Sequence, residues 1–484
     1  MLNWLGKLLR TPSAGASPQD EANALARDAL AHLEAGRYDQ AERLLYRALV
    51  LAPASAEIHN NLGNVLRSAG RLDGAIEAYR GAIALAPELA EAHFNLGLGI
   101  LRRGDVAGAK ECFQAALDSR PDLADAQLNL GFLLEEEGDN AGAIAAYRSA
   151  VAVEPGLVEA HVNLGMQLLL AGRLAEGWKE YEWRQRYPEY SGADLAAGGE
   201  EYPRRWEGGA LEGRTILLDA EQGFGDAIQF LRYAPLVAER GGRVLVRCAP
   251  ELAGLTAIAP GVTATATRGG PLPAFDIHCP LPSLPLVFRT TLEDIPAQVP
   301  YLRADPQKLE RWRSRLAGGA ADLRVGLVWA SQSQHRTAGA KSLALAALAP
   351  LAGIPGLRLY SLQKGEAARQ AERSPAGLRI EDLSGELRDF SDTAAAVANL
   401  DLVISVDTAV AHLAGAMGRP AWTLLKHAPD WRWLLAREDS PWYPTMRLFR
   451  QRKPADWRPV VDEVAGALRQ FAAGADRVSG RRWV

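Results

Sequence analysis

Along the first third of the chain, small and apolar positions recur at one interval. Gly36, Gly70, Gly104, Gly138 and Gly172 are each 34 residues apart, and so are Pro53, Pro87, Pro121 and Pro155. Leu-Gly recurs at Leu62-Gly63, Leu96-Gly97, Leu130-Gly131 and Leu164-Gly165, and a small residue precedes an aromatic at Ala75/Tyr79, Ala109/Phe113 and Ala143/Tyr147. After a Gly/Ala-rich, Pro-containing stretch near 191–213, the pattern changes to short β-branched runs alternating with amphipathic helices, which predicts a parallel sheet. Predicted strands are 215–219, 243–247, 324–329, 357–361 and 402–405. A polar, helix-forming stretch from about 297 to 323 predicts a crossing between two α/β lobes.

A period of 34 with these positions is the signature of the tetratricopeptide repeat, two antiparallel helices per unit. Small residues let the paired helices approach, the aromatic fills the gap, and the proline ends the second helix. About five repeats are predicted over 21–190. The first lacks Leu-Gly, and the last has Gly177 where Ala is expected before Tyr181. Terminal repeats are usually atypical. The last one also runs into Trp178-Lys-Glu-Tyr-Glu-Trp-Arg-Gln-Arg-Tyr187, an aromatic and charged stretch predicted to dock onto the α/β region.

Asn61, Asn95, Asn129 and Asn163 share one register, two residues before each repeat glycine. Such a ladder of amides can hold the backbone of an extended peptide, or can bond within and between repeats. His59, His93 and His161 share another register, where packing is expected rather than metal ligation.

Two loops carry candidate chemistry. The first predicted strand leads into Glu221-Gln-Gly-Phe-Gly-Asp226, where Gly223 and Gly225 let backbone approach a ligand and Asp226 opens a helix at the carboxyl end of a strand. Asp226 is also placed to cap that helix. The second loop follows the strand at 402–405: Asp407-Thr408-Ala409-Val410-Ala411-His412 passes from strand to a helix of small residues. Free amides and the positive dipole end at 408–411 suit a diphosphate, and Thr408 adds a hydroxyl. Asp407 would repel phosphate and is expected to fix the turn or a sugar hydroxyl. His412 faces either the site or the sheet.

Composition removes several classes of function. Lys+Arg 54 against Asp+Glu 58 leaves no basic excess, so nucleic acid is not expected as a partner. No run approaches the roughly 18 apolar residues of a membrane span, so no integral membrane segment is expected. Cys112, Cys248 and Cys279 lie far apart, without metal-ligand spacing, which suits a cytoplasmic, reducing location and predicts no metal. Residues 1–20 lack the apolar core and cleavage site of an export signal and are expected to form a flexible tail, weak contact with a membrane surface being the other option.

The Gly-x-Gly-Asp loop, the Val-Asp-Thr-Ala-x-x-His-Leu-Ala stretch and the strand alternation resemble the heptosyltransferase-like (family 9) glycosyltransferases of GT-B fold. The arrangement as a whole is similar to that of the protein O-GlcNAc transferases. The resemblance implies a tetratricopeptide solenoid followed by two Rossmann-like lobes: an acceptor-side lobe at 214–310 and a donor-side lobe at 311–475, with a tail at 476–484. It implies Asp226 as general base and Thr408, Ala409, Val410 and Ala411 as the pyrophosphate site. Lys341 would be a phosphate contact, and the asparagine register would grip an acceptor polypeptide. His335 and Arg336 are expected near donor phosphates, and Gln363 and Glu366 near the ribose. The implied reaction is inverting, metal-independent transfer from a nucleotide-sugar, a substrate and not a cofactor, to Ser or Thr of a protein. Two alternatives stand: transfer to lipopolysaccharide or another glycan, with the repeats recruiting partners, and a scaffold with inactive lobes. The chain departs from the family at Ala409, where Gly is usual, and at Lys426-His-Ala-Pro-Asp430-Trp-Arg-Trp433, which replaces a Gly-Pro-Thr segment. Together these departures suit a donor other than ADP-heptose.

Overall fold

The structure is a computed structural model that describes residues 17–190, 204–317, 323–332 and 338–474. Most of the expected tails at 1–20 and 476–484 and of the linker at 191–213 lies outside the described residues. Contacts divide the chain into two compact units, Met1–Ala160 and His161–Val484.

The first unit is a stack of helical pairs: α1 (Pro18–Glu34) with α2 (Tyr38–Leu51), α3 (Ala56–Ser68) with α4 (Leu72–Leu85), α5 (Ala90–Arg102) with α6 (Val106–Ser119), and α7 (Ala124–Glu137) with α8 (Asn140–Val153). Helix α1 begins inside the expected tail, because Ser17 and Asp20 form a capping box there. Gly36, Gly70, Gly104 and Gly138 turn each pair with φ between +69° and +87°, a conformation that costs a side chain but not glycine. The Leu-Gly glycines have a different role. A Cβ on Gly97 would stand 2.6 Å from the Phe113 ring, and one on Gly131 would stand 2.7 Å from the Tyr147 ring. Both rings are wholly buried, so the glycine supplies the space that the aromatic fills.

Two of the register residues are already engaged within the helical stack. Asn95 Nδ2 donates to Asn60 Oδ1 at 3.0 Å in a buried contact, and Asn129 Nδ2 donates to the Asp125 carbonyl at 2.8 Å. Asn61 and Asn163 are half-buried. The imidazoles of His59 and His93 pair with the carbonyls of Pro53 and Pro87 at 3.1 and 2.8 Å, bracing the turn between repeats.

The last helical pair, α9 (Val158–Leu170) and α10 (Leu174–Tyr181), falls almost wholly in the second unit. Its docking stretch behaves as expected: Trp178 is buried and its Nε1 donates to the Thr290 carbonyl at 3.0 Å.

A four-stranded parallel sheet comes next, built from β1 (Thr215–Asp219), β2 (Arg243–Cys248), β3 (Ala264–Thr267) and β4 (Ile277–Pro280) in the order β3-β2-β1-β4. Short helices α11 (Phe224–Phe230), α12 (Ala234–Ala238), α13 (Ala253–Thr256) and α14 (Leu284–Val287) fill the crossings. Helix α15 (Pro306–Arg315) leads to a six-stranded parallel sheet of β5 (Leu323–Val328), β6 (Leu357–Ser361), β7 (Ile380–Asp382), β8 (Leu402–Val406), β9 (Ala421–Leu425) and β10 (Met446–Arg450). Helices α16 (Ala338–Lys341), α17 (Phe390–Ala398), α18 (Ala409–Ala416) and α19 (Arg458–Ala472) accompany it.

Its order is β10-β9-β8-β5-β6-β7, the doubly wound arrangement in which the progression of strand order reverses between β5 and β8. Ligand crevices in such sheets lie beyond the carboxyl ends of the two strands at the reversal. All five predicted strands are present, although Trp329 lies just past the end of β5. Five strands were missed, β3, β4, β7, β9 and β10; of these, β4 ends on proline, β7 has three residues, and β9 has one β-branched residue. Among the described residues, no helix is long and apolar enough to cross a membrane.

Replacing Gly97 by Ala forces a methyl against the Phe113 ring. Urea unfolding should show a loss of about 1–3 kcal/mol, the usual cost of overpacking. A loss within about 0.3 kcal/mol would mean that the glycine does not set the helix spacing.

Candidate active site

The reversal of strand order between β5 and β8 puts three elements together. At the end of β8, Asp407 and Thr408 lead into α18, whose first residues are small: Ala409, Val410, Ala411. Thr408 is the N-cap by position, with extended backbone and no side-chain capping bond; its hydroxyl pairs instead with Ser405 Oγ at 2.9 Å. The amides of the first turn therefore have no side-chain partner from the cap. From beyond β5, Lys341 at the end of α16 reaches across, and its Nζ donates to Asp407 Oδ2 at 2.9 Å. Asp407, with help from Asp430, holds the Lys341 ammonium charged and raises its pKa above the ordinary lysine value.

His412 faces this site. A Cβ on Gly225 would stand 2.9 Å from His412 Cδ2, so the first turn of α11 lies directly on the imidazole. His412 Nδ1 pairs with Tyr443 OH at 2.9 Å, and Nε2 lies 3.9 Å from Asp407 Oδ1. Trp433 stacks on the ring with centroids 5.1 Å apart. Burial pushes the His412 pKa down to about 3, so the ring is neutral at physiological pH.

Asp226 is the third residue of α11, and the N-cap position belongs to Gly223. The capping role considered for Asp226 is thus not the one it has. Its Oδ1 accepts from a terminal nitrogen of Arg432, in the loop after β9. Arg432 is extensively engaged: NH1 donates to Asp430 at 2.7 Å, and Nε donates to Gln229 Oε1 at 2.7 Å. Burial raises the Asp226 pKa above the ordinary carboxylate value, and Arg432 opposes that rise. The side chain keeps 21% of its surface open, so a proton donor can reach it.

Gln363 and Glu366 are not part of this cluster. Gln363 is buried, and its amide is committed to the turn after β5: Oε1 accepts from the Trp329 and Ala330 amides at 3.0 and 2.8 Å, and Nε2 donates to the Ala330 and Lys364 carbonyls. It shapes the loop and has little left for a ribose. Glu366 is exposed at the start of a 3-10 turn. His335 and Arg336 lie outside the described residues. Four residues of the cluster escaped the sequence reading: Arg432, Asp430, Gln229 and Tyr443. The segment at 426–433 stands out as a departure, but nothing in it announces that Arg432 meets a carboxylate 206 positions earlier.

Comparison with known proteins agrees with a helical-repeat region followed by an α/β region. Residues 27–90 and 94–156 match the tetratricopeptide repeat model. Residues 346–473 match glycosyltransferase family 9 (heptosyltransferase). That match covers most of the six-stranded sheet with α18, and Asp226 and Lys341 precede it. Protein FlbA of Caulobacter vibrioides is 31% identical over 330 residues, 63% of this chain and 54% of that protein. The chain thus spans about half the length of that curated relative. Among solved structures, MamA is 24% identical with a TM-score of 0.30, covering 34% of this chain and 96% of its own. Pseudomonas aeruginosa PilF is 19% identical with a TM-score of 0.34, covering 38% of this chain and 86% of its own.

Removing Arg432 leaves a carboxylate in a largely closed site. Arg432→Gln should cost about 2 kcal/mol in thermal unfolding at neutral pH, and adding Asp226→Asn should recover part of the loss. A double variant no more stable than the single would show that the pair is not held by charge.

Proposed function

We propose that the chain transfers a sugar from a nucleotide-sugar to an acceptor hydroxyl. The reading is carried by one juxtaposition: a partly open carboxylate of raised pKa, Asp226, beside a helix start and a lysine at the reversal point of a sheet that matches family 9. The donor diphosphate lies against the amides of 408–410, the Ala411 amide being bonded to the Thr408 carbonyl at 3.0 Å, with Lys341 stabilising charge on the departing nucleoside diphosphate. His412, being neutral, adds a donor without adding a charge. Asp226 takes the acceptor proton as the new bond to the sugar carbon forms and the bond to diphosphate oxygen breaks. A single in-line displacement of this kind inverts the sugar carbon.

The fold in this reading is GT-B, with the four-stranded sheet on the acceptor side. The acceptor is Ser or Thr of a polypeptide held by the repeats, as in the protein O-GlcNAc transferases. Asn61 and Asn163, which are half-buried, are the ladder positions that remain best suited to peptide backbone. The heptosyltransferase family itself favours a glycan acceptor, and transfer to glycan with indifference to polypeptide would select that alternative. Lys341, Arg432 and the helix start supply positive charge where other transferases use Mg2+, so EDTA should leave turnover within about twofold.

Two measurements test the reading. In a thermal-shift screen, a nucleoside diphosphate at about one hundred times its Kd should stabilise the protein by about 2.7 kcal/mol, and Lys341→Ala or Thr408→Ala should reduce the shift. No shift with any nucleotide or nucleotide-sugar would move the reading to a scaffold. In kinetics, Asp226→Asn should lower transfer by about 10²–10⁴-fold. Because Asp226 must be deprotonated to act and its pKa is raised, kcat/KM should fall as pH drops through a value above the ordinary carboxylate range. Arg432 lowers that pKa, so Arg432→Gln should move the acid limb to higher pH; movement to lower pH would contradict the assignment.

A further inference from the structure

The fifth repeat breaks its own pattern in one place. In the second to fourth repeats, the aromatic of the second helix lies with its ring on the Leu-Gly glycine, as Phe113 does on Gly97. In the fifth, a Cβ on Gly165 would meet backbone instead, 2.5 Å from the Tyr181 nitrogen and 2.9 Å from its Cα. Gly177 stands where the others have alanine, and a Cβ there would lie 2.6 Å from Leu169 Cγ. Helix α10 therefore lies against α9 with backbone where the other repeats have a ring. The Tyr181 ring is displaced from its usual slot and turned elsewhere.

It turns to the loop that carries Asp226. Tyr181 OH donates to Gln222 Oε1 at 2.9 Å, and burial pushes its pKa up to about 12. The next turn continues the clamp on the same loop. Arg184 is 1% exposed; its Nε donates to Glu221 Oε1 at 2.8 Å and its NH2 to Ser283 Oγ at 2.7 Å. Gln185 Nε2 donates to Glu221 Oε2 at 2.7 Å.

The same short stretch also reaches the loop that carries Arg432. Trp178 meets Trp431 edge to face, with ring centroids 5.2 Å apart, and meets Trp442 at 6.4 Å. Trp431 stacks in turn on Phe230 of α11. One segment thus touches the chain on both sides of the Asp226–Arg432 pair, through hydrogen bonds on one side and aromatic packing on the other.

We propose that Trp178, Tyr181 and Arg184 are positioning residues for the Asp226–Arg432 pair, so that the last repeat is a working part of the transfer site. The roles differ. Tyr181 and Arg184 hold the Glu221–Gly223 loop that leads into α11 and thereby Asp226, and Trp178, with Tyr181 beside it, packs on Trp431 and thereby holds Arg432. Ordering of the last repeat, for instance by a bound polypeptide, is transmitted to the base by this route.

The proposal rests on the transferase reading for its kinetics only, and its structural half is tested without substrate. Hydrogen exchange of the full chain reads the 430–434 turn directly, since Trp433 N donates to the Asp430 carbonyl and Leu434 N to the Trp431 carbonyl. Trp178→Phe should speed exchange of these amides by about tenfold while leaving α5 and α6 unchanged. Exchange that rises only around residue 178, or equally everywhere, would overturn the coupling.

In the kinetic arm, Trp178→Phe and Tyr181→Phe should lower kcat by about tenfold with the KM for nucleotide-sugar within about twofold. Trp178→Phe should also shift the acid limb of kcat/KM upward, in the direction of Arg432→Gln, and add little to that variant. A variant that only melts earlier, with the pH profile and both kinetic constants in place, would reduce the segment to a structural role. Faster exchange at 430–434 in Trp178→Phe, together with a wild type that turns over no donor, would keep the coupling and remove the transferase reading.

Discussion

Three carboxylates and two cations meet at the carboxyl ends of the two sheets, and the balance among them governs the rest. Asp226, Asp407 and Asp430 face Lys341 and Arg432, so one negative charge is left over if all are ionised. Removing charge from water is expensive unless each ion finds several partners. Arg432 finds three, Asp226, Asp430 and Gln229, and Lys341 takes Asp407. Against the burial that would raise it, Arg432 and Lys341 hold Asp430 below the ordinary carboxylate range, while burial drives Asp226 above that range. Between these two, Asp226 is the carboxylate more ready to accept a proton, and it retains access to solvent.

That balance demands close approach, and glycine supplies it at each contact. Gly225 lets the first turn of α11 lie on the His412 ring. Gly415 does the same one turn further along α18, where a Cβ would stand 2.5 Å from the Tyr443 ring. With Tyr443 seated there, its hydroxyl meets His412 Nδ1 and holds the imidazole in place. A methyl on Gly225 would push α11 away from α18 near the point where Asp226 and Arg432 must touch, and one on Gly415 would unseat Tyr443. The backbone geometry at these positions is ordinary; it is the missing side chain that matters.

The fold was legible where a rule is local or periodic. The 34-residue interval, the Leu-Gly positions and the prolines specify the helical pairs, because each repeat meets the same neighbours. Strands rich in Val, Ile and Leu were legible too, whereas β4 and β7 were masked by a proline and by brevity. The site was legible only in its two loop signals, at 221–226 and 407–412. Arg432 could not be read, since its role comes from a contact across 206 residues that only the assembled sheets create. Gln363 illustrates the reverse error: its place after β6 suggests a ligand contact, but four backbone groups around 329, 330 and 364 consume its amide. For the asparagine register the sequence shows the spacing but not the partner: Asn60 takes the Asn95 amide inward, and the Asp125 carbonyl takes the Asn129 amide on its own helix.

Gly177 shows how a lapse in a repeat carries information. In a stack, every repeat after the first is constrained by the one before it, so a residue that breaks the register without breaking the fold must answer to a second demand. Here the second demand is the neighbouring α/β region, and the break frees Tyr181 from its repeat to bond Gln222. By sequence motif α9 and α10 belong to the helical stack, but Trp178 and Tyr181 of α10 bind the sheet region after them. The boundary of the compact units at 160/161 therefore lies inside the repeat array and not at its end. A chain cut after the fifth repeat would keep every repeat motif intact and still separate Trp178, Tyr181 and Arg184 from the loops they hold.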